Sequence, residues 1–259
     1  MFDFNKTIIV TNKKYKQIPV KNPILIAGLP GLGNVGVIIA DLLIQQFKGI
    51  KIASVYSNHF PHQAIMLKNG TVRLLNNRFY LIKSFNKSQD LIVLTGDTQA
   101  ITPEGQYEVN SKILDYFKNK LKGRFIFTIG GYINTQENIT IPRVFGNVTN
   151  KKLIDKFKKY NIIFKESQGT IFGSLGLLMA FAKMQNINGL CLMGETQNPE
   201  FDPASVKAVA SVLNKIFNIN INTKELDKMI KLTNSQINEL PMPQFSEASD
   251  SAPTPSYIR

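Results

Sequence analysis

The residues whose spacing most resembles a chemical motif are the glycines of Gly28-Leu-Pro-Gly31-Leu-Gly33-Asn-Val-Gly36. They follow a short apolar run and open an amphipathic one. Gly31, Gly33 and Gly36 therefore match the pattern in which backbone amides at a helix N-terminus hold a pyrophosphate. The acidic residue that should end the next strand and bind a ribose is missing, because residues 54–58 read Ser-Val-Tyr-Ser-Asn. No Lys-Ser or Lys-Thr pair makes the loop a P-loop. A tight strand-to-helix turn needs the same glycines, for close packing and positive φ, and the missing acid favours that reading. A second glycine loop, Gly169-Thr-Ile-Phe-Gly173-Ser-Leu-Gly176, leads into a helix expected over 177–184. Its amides could receive an anion, or its small residues could serve a close helix crossing.

Other reactive material is sparse. His59 and His62 are the two histidines, separated by Phe60 and Pro61. Without a nearby carboxylate or thiolate cluster they fall short of a zinc set and read as surface or structural residues. Cys191 lies inside an apolar run, where a thiol behaves as a small hydrophobe. No Gly-x-Ser-x-Gly elbow is present. Asp97, Glu104, Glu195 and Asp202 fall at or just beyond strand C-termini, where open α/β sheets bind ligands, so they are the best placed groups for acid–base work. Capping and turn formation account for them equally well. The expectation is a chain with no catalytic residue set, metal site or cofactor.

The elements that would position these residues follow from periodicity. Continuous apolar runs at 24–27, 51–56, 91–95, 125–129 and 189–193 lack alternation, as strands buried on both faces do. Residues 35–47 and 107–121 place their apolar side chains on one helical stripe. Asp202 and Pro203 suit the N-cap and first position of a helix over 204–217, and Thr223 opens another running to about residue 240. Three short runs, at 64–67, 71–75 and 78–82, are separated by Asn69-Gly70 and Asn76-Asn77, which marks an inserted antiparallel β-meander. Alternating strands and helices with such an insertion predict a three-layer mixed α/β sheet in one domain over residues 1–240. Beyond Pro241 the residues are mostly Pro, Ser, Glu and Asp, and 241–259 is expected to be a disordered tail.

Composition limits the functional classes. The formal net charge is +13. The lysines at 118, 120 and 122 with Arg124, and those at 151, 152, 156, 158 and 159, nevertheless read as solvated helix faces and ends without interleaved exposed aromatics. A nucleic-acid partner is not expected on that ground. No run reaches the ~18 apolar residues of a membrane span. One cysteine allows no intrachain disulfide. Together with an N-terminus lacking a basic and then apolar leader, this points to the cytoplasm.

The motifs, taken in order, resemble the proteasome assembly chaperone family in its archaeal-type branch. They are Gly28 to Gly36, Gly96-Asp97 with Thr102-Pro-Glu-Gly-Gln-Tyr107, Gly130-Gly-Tyr132, Gly169 to Leu178, Leu192-Met-Gly-Glu-Thr196 and Asp202-Pro-Ala204. The likeness spans roughly residues 18–237. It implies a phosphorylase/hydrolase-like architecture, homo-oligomers, and binding to proteasome α-subunits during ring assembly. Some relatives have carried an ATP-grasp label. The alternative it leaves is a nucleotide- or small-ligand-binding enzyme built on Gly28, Gly31, Gly33, Gly36, Gly169, Gly173 and Gly176. Archaeal members can end in a hydrophobic–Tyr–X motif that docks between α-subunits. This chain ends Ser256-Tyr257-Ile258-Arg259, one position out of register, so the tail contacts expected from the resemblance are Tyr257, Ile258 and Arg259.

Overall fold

The structure is a computed structural model that describes residues 5–15, 18–86, 89–133, 139, 141–164 and 169–230. The expected tail over 241–259, with Tyr257, Ile258 and Arg259, lies outside the described residues, as does the end of the helix opened by Thr223.

The central strands form where β-branched and other apolar residues run without alternation. β1 (Ile8–Thr11), β2 (Ile24–Ala27), β3 (Ile50–Tyr56), β6 (Asn77–Asn86) and β7 (Gln89–Gly96) share one nine-stranded sheet with β8 (Phe125–Ile133), β9 (Val144–Val148), β10 (Ile162–Ile163) and β11 (Asn188–Thr196). The order is β1-β3-β6-β7-β2-β8-β11-β9-β10. Its middle, β7-β2-β8-β11, is parallel, with Ile24 level with Leu91 and Phe125, and Phe125 level with Asn188. Leu25, Ile26, Ile92, Val93 and Leu190 are fully buried, as strands covered on both faces require.

Helices cover both faces. α1 (Val35–Gln46) and α5 (Pro203–Phe217) pack on one, where Val35, Ile39, Leu43, Val206 and Val209 meet Ile26, Phe127 and Leu192; the short α3 (Lys152–Phe157) adds Phe157. α2 (Pro103–Asp115) and α4 (Gly173–Met184) cover the other, where Val109, Ile113, Leu178 and Ala182 meet Leu25, Ile92 and Ile126. The helix starts are chemically specified. Thr102 Oγ1 accepts the Gly105 amide at 3.0 Å ahead of Pro103, and Asp202 accepts the Ser205 amide at 2.9 Å ahead of Pro203. α2 therefore begins four residues before its apolar stripe does, because the cap and not the stripe sets the start.

The three-layer mixed fold is the one the sequence predicts, with a different distribution of the inserted strands. β4 (Ala64–Met66) and β5 (Val72–Leu74) pair with each other as a separate ribbon. The third run becomes β6, which crosses the main sheet antiparallel to both β3 and β7. Alternation explains the split. Met66, Val72 and Leu74 are exposed, whereas Phe79 and Leu81 in β6 are almost wholly buried. Of the described helices, none is long and apolar enough to cross a membrane.

The ribbon is tied to the sheet by one carboxylate. Asp97 accepts from Arg73 through both oxygens, at 2.5 and 3.0 Å, from Arg78 at 2.8 Å, and from the Asn76 amide at 3.0 Å. Burial alone would raise this carboxyl, but the two guanidiniums and the amide outweigh it and bring it down to about 2. A depressed folded-state pKa gives stability that is present above the ordinary carboxylate range and lost as pH falls toward 2. Asp97→Asn should cost about 2 kcal/mol in urea unfolding at pH 7, and its deficit against the parent should shrink steadily between pH 4 and pH 2. A deficit independent of pH would contradict the assignment.

Candidate functional site

The two glycine loops meet at one place. β2, β8 and β11 all point their C-terminal ends at a crevice of about 550 Å³ at the switch point of the sheet. The loop after β2 and the loop before α4 form its walls. Leu29, Leu32, Tyr132, Phe172, Leu175 and Met193 give it a mainly apolar lining, and no charged side chain is among the described residues that line it.

Within the first loop the glycines do different jobs. Gly28 faces Gly36 so closely that a Cβ on Gly28 would run into the Gly36 carbonyl, and a Cβ on Gly36 would run into the Ile129 carbonyl. These two positions bring β2, α1 and β8 into backbone contact. Gly33 has φ +62° and forms a two-way clasp with the loop after β11: its amide donates to the Pro199 carbonyl at 2.7 Å and its carbonyl accepts from the Asp202 amide at 3.1 Å. Gly31 differs, since a Cβ there would find nothing nearer than Gln99 at 3.8 Å, and it opens onto the crevice. In the second loop Gly173 has φ +69°, Gly176 packs against the Ile171 carbonyl, and Gly169 faces open space.

Gln99 joins the two loops and carries no sequence signal of its own. Its Nε2 donates to the Pro30 carbonyl at 2.7 Å, and its Oε1 accepts the Ser174 amide at 2.8 Å at the first turn of α4. Gln106, from α2, supports it at 3.5 Å and also binds the Ala100 carbonyl at 2.6 Å. The clue available from sequence is its place just beyond the parallel strand β7, between the Gly96-Asp97 and Thr102-Pro103 signals.

The four carboxylates placed near strand ends are not brought together in the crevice. Asp97 serves the ribbon. Glu195, 1% exposed, is gripped by Arg143: Nη2 donates to Oε1 at 2.5 Å, while Nε and the backbone amide donate to Oε2 at 2.8 and 3.1 Å. Asp202 caps α5 and accepts from the Thr196 hydroxyl at 2.6 Å. Glu104 is exposed in the first turn of α2, where its charge suits the helix dipole. Among the described residues, no three His, Cys, Asp or Glu side chains are grouped to hold a metal ion.

His59 has one carboxylate beside it, short of a metal-holding group among the described residues, in a structural setting. His59 Nε2 is 3.4 Å from Glu108, and its Nδ1 is 3.0 Å from the Thr102 hydroxyl. Glu108 also accepts the Thr7 amide at 2.6 Å, and bonding to Thr7 holds its carboxyl below the ordinary range. The cluster ties the chain ahead of β1 to the start of α2. Glu108 was hidden because it sits on a polar helix face far from His59 in sequence. Cys191 lies fully buried beside Thr128, and burial pushes its thiol up to about 12, so it stays protonated.

Comparison with known proteins adds to this geometry. A family model described as the PAC2 family matches residues 25–241. An uncharacterized protein of Methanocaldococcus jannaschii is 37% identical over 227 residues, covering 86% of this chain and 84% of that protein. Among solved structures, Pyrococcus furiosus PbaB, an archaeal proteasome activator, superposes with a TM-score of 0.84 at 37% identity, covering 91% of this chain and 98% of PbaB. P. furiosus PbaA, an archaeal homolog of proteasome-assembly chaperone, superposes at 0.73 with 25% identity, covering 90% and 91%.

The two kinds of glycine in the first loop should separate experimentally. Gly28→Ala and Gly36→Ala should each lose about 3 kcal/mol in urea unfolding, since backbone and not a flexible side chain must give way. Gly31→Ala should stay within about 0.5 kcal/mol of the parent. Equal losses at all three positions would refute the division.

Proposed function

The chain belongs to the PAC2 family, and from that premise we propose that it is a cytoplasmic, proteasome-binding protein of the assembly-chaperone kind that docks on α-subunits. The observation that carries this reading is the neutral, mainly apolar crevice beside carboxylates already engaged in ion pairs and caps. Such a surface suits recognition through shape and apolar contact. The likeness to PbaB, a proteasome activator, and to PbaA, a homolog of proteasome-assembly chaperone, supplies the partner class.

In this reading the C-terminal segment 241–259, which lies outside the described residues, acts as an arm whose contact point is Tyr257, Ile258 and Arg259. Burying a tyrosine yields roughly 4–6 kcal/mol gross. Immobilising the arm and losing overall freedom offset most of that, so one arm binds weakly. A homo-oligomer presenting several arms to one ring gains through effective concentration. Exposed Phe172, Met184, Ile101 and Tyr107, all on or beside α2 and α4, give copies of the chain apolar surface through which to associate.

A second reading rests on the placement of the crevice between two glycine loops, where small ligands bind in related architectures. Among the described residues its lining offers a phosphate no cation to pair with, so a nucleotide panel should leave the thermal midpoint unchanged. A nucleotide at ~100 times its Kd would add about 2.7 kcal/mol and would revive the enzyme reading.

The main test is retention of full-length protein on immobilised free α-subunits and on assembled proteasome particles. Full-length chain should bind at least one of them. A chain stopped at Leu240 and Tyr257→Ala should each bind at least tenfold more weakly. Stronger capture by free subunits would mark an assembly role, and stronger capture by assembled particles an activating one. Failure of full-length protein to bind either would overturn the proposal.

A further inference from the structure

The excess positive charge is gathered at one end of the molecule, opposite the crevice. In the parallel part of the sheet every strand starts at that end. Its marker level is Ile24, Leu91, Phe125 and Asn188, with Ile50 of β3 joined to the same level through Leu81 and Ile92 of β6 and β7. The junctions there are lysine-rich and exposed. Lys48 and Lys51 flank the start of β3, while Lys120, Lys122 and Arg124 precede β8. Lys183 closes α4 ahead of β11, and Lys151 and Lys152 follow the end of β9. The far-apart segments are physically joined, since Lys118 Nζ donates to the Gln185 carbonyl at 3.3 Å.

Among the described residues acids do not balance them: Asp227 and Glu225 pair with Lys207 and Lys228, and Asp41 lies partway along α1. Asp90 is buried and already bonded to Lys83 and to the amides of Lys21 and Ser84. Asp115 is exposed at the foot of α2, and Asp155 in α3 pairs with Lys158. Asp97, Glu104, Glu108, Glu195, Glu200 and Asp202 lie at the crevice end instead, on the far sides of β7, β11 and the starts of α2 and α5.

Helix dipoles explain only part of the asymmetry. α1, α2, α4 and α5 all finish at the basic end, and each carries about half a negative charge there, so their sum offsets about two of the cations. The remainder is a free electrostatic surface spread over the ends of a sheet whose nine strands, about 4.8 Å apart, are roughly 38 Å wide. That breadth suits one side of an ordinary protein interface of about 800 Å². The exposed aromatics Tyr107, Phe172 and Phe201 sit toward the crevice end, and the half-buried rings of Phe125, Tyr160 and Phe217 near the basic end pack on neighbouring rings and under Lys156 and Lys159 instead of standing out for unpaired bases to stack on.

We propose that this lysine-lined end, formed where the β3, β8 and β11 strands begin, is a docking face for an acidic protein surface. The proposal is independent of proteasome binding and predicts steered, salt-sensitive association at a face remote from the crevice.

The probes are fluorescent poly-L-glutamate and a 24-base-pair DNA duplex, each titrated with full-length protein between 50 and 200 mM salt. The triple change Lys120→Glu, Lys122→Glu, Arg124→Glu should weaken poly-L-glutamate binding at least tenfold at 50 mM salt. The pair Lys48→Glu, Lys183→Glu should weaken it independently, which guards against a folding defect in the triple variant; unchanged thermal midpoints are the check. A triple change of equal charge elsewhere, Lys68→Glu, Lys207→Glu, Lys228→Glu, should weaken it less than threefold. Equal losses in the two triple variants would reduce the effect to net charge and overturn the proposal, as would no binding of poly-L-glutamate. Tighter binding of the duplex than of poly-L-glutamate throughout, abolished by the same basic-end changes, would make the face a nucleic-acid interface and would also overturn it.

Discussion

The fold depends on a place where three backbones touch without side chains between them. Gly28 at the end of β2, Gly36 in the first turn of α1 and the Ile129 carbonyl of β8 stand in direct contact. A Cβ at either glycine would push the helix off the sheet, and the whole α1 and α5 layer packs behind that contact. Gly131 continues the approach against the Leu32 carbonyl. The loop between β2 and α1 is thereby held down on β8, and the space above β8 becomes the crevice. Its volume exists because small residues occupy Gly130 and Gly131 at the rim while Leu29, Leu32 and Leu175 wall it.

Charge is disposed around that crevice so that its described lining is neutral. Asp97 and Glu195, each close to a strand end, are satisfied by arginines reaching from neighbouring segments. A carboxylate so enclosed costs more to strip of its partner than the pair contributes net, so these arginines are fixed parts of the architecture. Fork-shaped contact at Arg143 and Arg73 adds direction, orienting the segment ahead of β9 and the β4–β5 ribbon respectively. The loops are then held by uncharged groups, with Gln99 reaching one loop through each end of its amide.

Much of this was legible in the chain and some was not, for identifiable reasons. Buried strands advertise themselves by continuous apolar runs, and the Asp202-Pro203 pair marks a helix start that the structure bears out, whereas the apolar stripe alone places the start of α2 four residues beyond its Thr102 cap. β9 and β10 escaped notice. β9 reads Val-Phe-Gly-Asn-Val, interrupted by a glycine, and β10 is two residues long. The first glycine loop was recognised, yet spacing alone could not say that Gly28 and Gly36 face backbone while Gly31 faces open space. That distinction is a matter of tertiary contact. Gln99, Arg143 and Glu108 were missed because each acts across long sequence separations on partners that only folding brings near.

The same reasoning shows why the two ends of the molecule differ in character. A parallel strand–helix alternation sends α1, α2, α4 and α5 back in one direction, so their N-termini meet at the strand C-termini and their C-termini at the strand starts; the short α3, which follows the antiparallel β9, runs the other way. Exposed amides and glycine turns collect at the first end, where carboxylates are welcome; carbonyl ends collect at the second, where lysines are. Segment by segment the lysines near residues 48, 120, 151 and 183 look like unrelated solvated helix ends. Topology makes them neighbours. A chain whose described crevice lining is uncharged, and whose opposite end carries more cations than the dipoles offset, sets an apolar surface at one end of a single sheet and an electrostatic one at the other.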